Sequence, residues 1–236
     1  MTDLTKYLSP TSTMDCDNHA IQAQAERVTA GLGNPSMRAT ALFYFVRDKI
    51  RYNIYSPFHL LEHYRASWIL ERREGYCVQK AVLLAALARA AGIPARLGFA
   101  DLKNHRMPDK LLHERGTNQI LFHSYSVLYV NGKWLKATPA FDLRMCQRQK
   151  LPPVEFDALH DAMFPPEDLD GNPFVEYTQD RGFFDDVPLD DILEARTELY
   201  GAERIELWKE TYGNRPRRYH RDSSQREYSP EEKVYE

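Results

Sequence analysis

A thiol attacks carbon only as the thiolate, and two surroundings favour that form: the positive end of a helix and a neighbouring imidazole. Cys77 answers the first. The residues after it, VQKAVLLAALARAAG, are rich in Ala and Leu and apolar nearly all round, which predicts a buried central helix starting at Cys77 and ended by Gly92 and Pro94. Gly75, two residues upstream, lets backbone approach closely and leaves amide N–H groups free for an oxyanion. His123 answers the second. It stands in QILFHSYSVLYV, which Asn131-Gly132 joins to KWLKAT, two β-rich runs about a type I′ turn. If Val130 faces Lys133, His123 falls opposite Ala140, and Thr138 and Asp142 become its diagonal neighbours on one face. Either could accept the imidazole N–H, fix the tautomer and steady the imidazolium. The plainer alternatives are a small buried hydrophobe at Cys77 and a half-buried strand residue at His123. A cysteine at a helix start together with a histidine on a strand weighs against both.

The elements that must position this pair follow from pattern. Asn18 to Ala30 favours a helix that Gly31, Gly33 and Pro35 break, and a second helix spans about Ser36 to Arg51, with Leu42, Phe45, Val46 and Ile50 on its core face. SWILERREG predicts a helical approach closed by Gly75. Ala95 to Leu102 reads as a strand, and the polar stretch Lys103 to Asn118 as a loop. The prolines between Leu151 and Pro173 predict an irregular segment running over the surface, followed by one or two helices between Leu189 and Tyr212. The division expected is a core over 1–150, an extension over 151–212 packed on it, and a polar, disordered tail over 213–236.

With 236 residues, 43% of them hydrophobic, the chain suits one core. A net charge of -3, with both signs interspersed, provides no field for nucleic acid or a membrane surface. The N-terminal residues lack a basic start followed by an apolar run, and no stretch approaches about eighteen apolar residues. Together these predict a soluble, cytoplasmic protein. Its three cysteines, Cys16, Cys77 and Cys146, are widely spaced and odd in number, so at least one thiol is free.

Four segments then carry a resemblance: VRDKIRY, ASWILERREGYC at the nucleophile, ALARAAGIPARLGF after its helix, and HSYSVLYVNGKWLKATP at the histidine. In this order they resemble the core of the transglutaminase-like superfamily of papain-like folds, over about Ala39 to Asp142. The resemblance implies an α+β fold, a helical layer packed on an antiparallel sheet, and a Cys-His-Asp site with Cys77 as nucleophile and His123 as base. Where the family places Asp-Pro after the hairpin tryptophan, this chain reads Thr138-Pro139, so Thr138 or Asp142 is the candidate third member. REGYCVQ also resembles the nucleophile segment of arylamine N-acetyltransferases.

The leading expectation is a cysteine peptidase, amidase or acyltransferase that passes a peptide or protein acyl group through a thioester at Cys77, without a cofactor. Water as acceptor gives hydrolysis; a lysine-like amine gives transfer. Two other readings stand beside it. One is an inactive domain of the same fold serving as a protein-interaction module, for which Thr138 counts. The other is a zinc hydrolase, because His59, Glu62 and His63 match H-x-x-E-H, a three-position match that is cheap among eight histidines. Gln79, one turn into the central helix, could face substrate or solvent. Arg215, Arg217, Arg218 and Arg221 read as a solvated tail rather than an RNA contact.

Overall fold

The computed structural model describes residues 3–213. Its first layer is helical. α1 (His19–Thr29) and α2 (Pro35–Lys49) begin at Asn18 and Asn34, whose side chains accept the Ala20 and Ser36 amides. Leu42, Phe45, Val46 and Ile50 are all buried, as the helical period predicts. β1 (Arg51–Tyr52) pairs in parallel with β2 (Glu74–Gly75), and a 3-10 turn over Leu61–Tyr64 and α3 (Ala66–Arg72) lie between them. Arg73, in the left-handed region at φ 57°, closes α3; Gly75 belongs instead to β2. α4 (Cys77–Ala90) follows at once, buried from Cys77 to Arg89.

The second layer is a four-stranded antiparallel sheet in the order β5-β4-β3-β6, formed by β3 (Ala95–Asn104), β4 (Gln119–Val130), β5 (Lys133–Ala137) and β6 (Val175–Phe184). Asn131 and Gly132 both take positive φ, as a type I′ turn requires, and Val130 pairs with Lys133. The core fills the space between α4 and the sheet with Leu97, Phe99 and Leu128, and the Ser126 hydroxyl donates to the Ala81 carbonyl at 2.8 Å to dock β4 on α4. Gly98 is forced by its partner: a Cβ there would stand 2.2 Å from the Tyr125 ring that lies across it.

Three expectations need correction. The polar stretch after β3 contains a short helix, α5 (Asp109–Arg115). The proline-rich segment is largely irregular but not superficial, because Leu151, Phe156, Ala158 and Phe164 enter the core. β6 was not expected at all; it adds an edge strand to the same sheet, so this part of the extension is built into the core. α6 (Leu143–Gln149), α7 (Leu189–Tyr200) and α8 (Ala202–Tyr212) complete the chain, the last two separated by Gly201 at φ 85°. The polar tail and its arginines from residue 214 lie outside the described residues. Among the described residues no helix is long and apolar enough to cross a membrane.

Candidate active site

Cys77 opens α4. Gln79 fixes the entry into that helix: its side-chain oxygen accepts the Tyr76 amide at 3.1 Å, and its amide donates to the carbonyls of Pro57 and His63, each at 2.8 Å. Fully buried in this way, Gln79 faces neither substrate nor solvent. The close approach expected of Gly75 is present, since a Cβ would lie 3.0 Å from the Gln79 Cβ. Cys77 is 5% exposed. Burial pushes its thiol pKa up, while the Ser124 backbone amide, the Arg196 charge, the Val78 amide and the Arg115 charge each pull it down.

Ser124 is the residue after His123, so the group that most lowers the Cys77 thiol lies on the strand that carries the histidine. A bulge aims that strand. Ala100 pairs with His123 but Leu102 pairs with Ile120, leaving two residues of β4 opposite Asp101. Phe122 takes up the extra length at φ 53°, and its amide donates to Asp101 Oδ1 at 3.0 Å. Arg181 on β6 clamps the same carboxylate through two hydrogen bonds of 2.6 and 2.8 Å. The His123 ring packs on Phe164 at 5.1 Å and Tyr177 at 6.2 Å between centroids. It is 2% exposed, its Nε2 has no hydrogen-bond partner among the described residues, and burial pushes its pKa down to about 3. Burial thus disfavours the charged form of both Cys77 and His123.

Thr138 and Asp142 are engaged elsewhere. β5 ends at Ala137, which bridges to Ala162, so the register that would set Ala140 opposite His123 stops short. Thr138 is fully buried; its hydroxyl meets the Met163 sulfur at 3.4 Å and the Tyr177 side chain. Asp142 caps α6 by accepting the Met145 amide at 2.9 Å and ties it to β1 by accepting the Tyr52 amide at 3.0 Å. Neither is hydrogen-bonded to His123. Tyr177, which packs on His123, and Arg196 and Arg115, whose charges lower the Cys77 thiol, were not singled out by sequence, nor was Tyr52. Tyr177 sits on the unexpected β6, and a thiolate at Cys77 would raise the hydroxyls of both Tyr52 and Tyr177.

His59, Glu62 and His63 fall on a 3-10 turn and its approach, not on an α-helix. His63 uses Nδ1 to accept the Leu60 amide, and Glu62 is largely exposed, its Oε1 4.0 Å from the His63 Nε2. Among the described residues no group of three or more His, Cys, Asp or Glu could hold a metal. The zinc reading therefore lacks its third donor.

The sequence model of the transglutaminase-like superfamily matches residues 22–139, half of the chain. The chain belongs to the transglutaminase-like superfamily. No curated protein matches its sequence. Among solved structures, a proposed cysteine protease from Cytophaga hutchinsonii shares 19% identity at a TM-score of 0.50, covering 79% of this chain and 48% of the other. The periplasmic domain of TgpA from Pseudomonas aeruginosa shares 21% at 0.39, covering 59% and 48%, and a proposed protease from Parabacteroides distasonis 18% at 0.38, covering 57% and 25%. The chain thus spans about half or less of these proteins. The first likeness agrees with the α+β fold of a transglutaminase-like domain.

Proposed function

We propose that the chain is a cysteine-dependent enzyme that takes the acyl group of a peptide or protein amide onto Cys77 as a thioester. His123 takes the thiol proton as sulfur attacks the carbonyl and returns it to the departing amine. Water then releases a carboxylic acid, or a second amine takes the acyl group, and the thiol is regenerated. Because imidazole and thiol are both neutral at rest, the proton moves with the attack and no ion pair waits in the free protein. The observation that carries this reading is that the strand of His123 docks on the helix Cys77 opens, through the Ser126 hydroxyl on the Ala81 carbonyl at 2.8 Å. The three cysteines are all unpaired thiols, which supports a reducing compartment.

Without a carboxylate on His123, the ring is held by packing against Phe164 and Tyr177. The same feature, with both reactive groups nearly sealed from solvent, supports a second reading: an inactive interaction module. The two are separated by quenching the protein with p-nitrophenyl acetate and with peptide p-nitroanilides, then mapping acyl adducts by mass. The enzyme predicts an adduct on Cys77, absent in Cys77→Ala and formed roughly 100-fold or more slowly in His123→Ala. No adduct on Cys77 with any acyl donor would leave the interaction module. Added lysine-like amine, by diverting or not diverting the product, decides between transfer and hydrolysis.

A further inference from the structure

Tyr76, the residue before the nucleophile, forms one wall of a pocket with about 480 Å³ of empty space, its open mouth included. Tyr55, Tyr200 and Trp208 supply further aromatic wall, and two guanidinium groups, Arg115 of α5 and Arg196 of α7, also line it. Arg196 lies over the rings of Phe58 and Tyr76, at 5.4 and 5.0 Å. Arg115 lies over Tyr200 and Trp208 and donates to the Tyr200 hydroxyl at 3.2 Å, while its Nε is buried without a partner. Among the described residues neither arginine meets a carboxylate. Of the other sequestered arginines, Arg47 is paired with Asp48 and Glu155 and Arg181 with Asp101, while Arg89 gives its donors to the Ser9 and Ala95 carbonyls. Glu114, the acid in the lining, is occupied by the Tyr55 hydroxyl at 2.9 Å and lies 3.9 Å from Lys110, so the lining keeps a positive excess.

Two forked donors set in aromatic walls, against a single acid in the lining and with no carboxylate in contact with either, match a carboxylate flanked by an apolar or aromatic group. We infer that this pocket binds a carboxylate of the substrate beside the carbonyl presented to Cys77. Its place in the reaction rests on Cys77 being the nucleophile; its binding chemistry does not. The carboxylate has two sources, the free C-terminus of a peptide or an acidic side chain.

The test is calorimetric titration of full-length Cys77→Ala protein, which cannot turn over, with two pairs of peptides. One pair is N-acetyl-Gly-Phe as free acid and as amide; the other is an amidated peptide with Glu or Gln at its centre. At least one acid should bind roughly tenfold more tightly than its amide partner. That preference should fall to within about twofold in Arg196→Gln and in Arg115→Gln, and survive in part in Arg196→Lys, which keeps the charge and the stem. The pair that discriminates identifies the source. Acids and amides binding alike, no binding by either pair, or a preference that survives both Gln substitutions would overturn the assignment. A carboxylate preference without any thioester at Cys77 would leave the pocket standing and remove the enzyme. A thioester without the preference would do the reverse.

Discussion

At the residue scale, the chemistry turns on how burial sets two protonation states. The Cys77 thiol is pushed up by burial and pulled back by two amides and two arginine charges, and the His123 imidazole is pushed down to about 3 with nothing opposing it. The histidine should therefore stay neutral where an ordinary imidazole, with a pKa of about 6.5, gains its proton. Its Cε1–H resonance is expected to hold its neutral position from about pH 8 down to about pH 4; a midpoint near 6.5 would mean a ring open to water or paired with an acid. The placing of both candidates was legible, Cys77 at the start of its helix and His123 on the first strand of the hairpin. The partners of Thr138 and Asp142 were not. Diagonal pairing is a property of a continuing ladder, and the chain leaves the ladder after Ala137, which frees Thr138 to face Met163 and Tyr177 and Asp142 to cap a helix.

At the element scale, the aim of His123 depends on a bulge, and the bulge depends on Asp101. Removing that carboxylate unties the Phe122 amide and leaves Arg181 with a sequestered, uncompensated charge. Asp101→Ala is expected to cost about 2–3 kcal/mol in denaturant unfolding and to slow acylation of Cys77 beyond what the stability loss explains. Unchanged acylation in folded Asp101→Ala protein would show that the bulge does not position the ring. Helices α1, α2 and α4 and the hairpin were readable because each has a cap, a period or a turn dipeptide of its own. β6 was not, because VEYTQDRGFF is an edge strand whose side chains lie mostly toward solvent, with two register shifts against β3 that blur any alternation. α5 hid in the same way: DKLLHER buries nothing fully, so no apolar stripe marks it.

At the scale of the whole molecule, several buried groups bias stability in the same direction with pH. His63 and His123 are pushed down to about 4 and about 3, both far below the unfolded value, so between those values and about 6.5 the unfolded chain binds the extra protons. Stability then falls on acidification, by about 1.4 kcal/mol per pH unit for each histidine. Lys80, buried in α4 and donating to the Arg47 carbonyl at 2.9 Å, is pushed down to about 7 by burial. The folded protein again holds fewer protons than the unfolded chain up to about 10.5, so stability rises with pH across that span. The thiols of Cys16, Cys77 and Cys146 are raised by burial and reverse the trend above about pH 9. Denaturant midpoints should climb from about pH 5 to a maximum between about pH 8 and 9, on the alkaline side of the common range. Lys80→Met should flatten the climb above neutrality, and His63→Asn the climb below it. A profile flat from pH 5 to 9 would contradict the burial of these groups as charged-state penalties.

The coupling of Cys77 to His123 is tested most directly by the rate of iodoacetamide alkylation at each cysteine near neutral pH, read by peptide mass mapping in the wild type and in His123→Ala. The account predicts that Cys77 is alkylated faster than Cys16 and Cys146, that the rate rises with pH with no inflection near 6.5, and that His123→Ala removes the advantage. A Cys77 no faster than the other two, or one indifferent to His123, would contradict it.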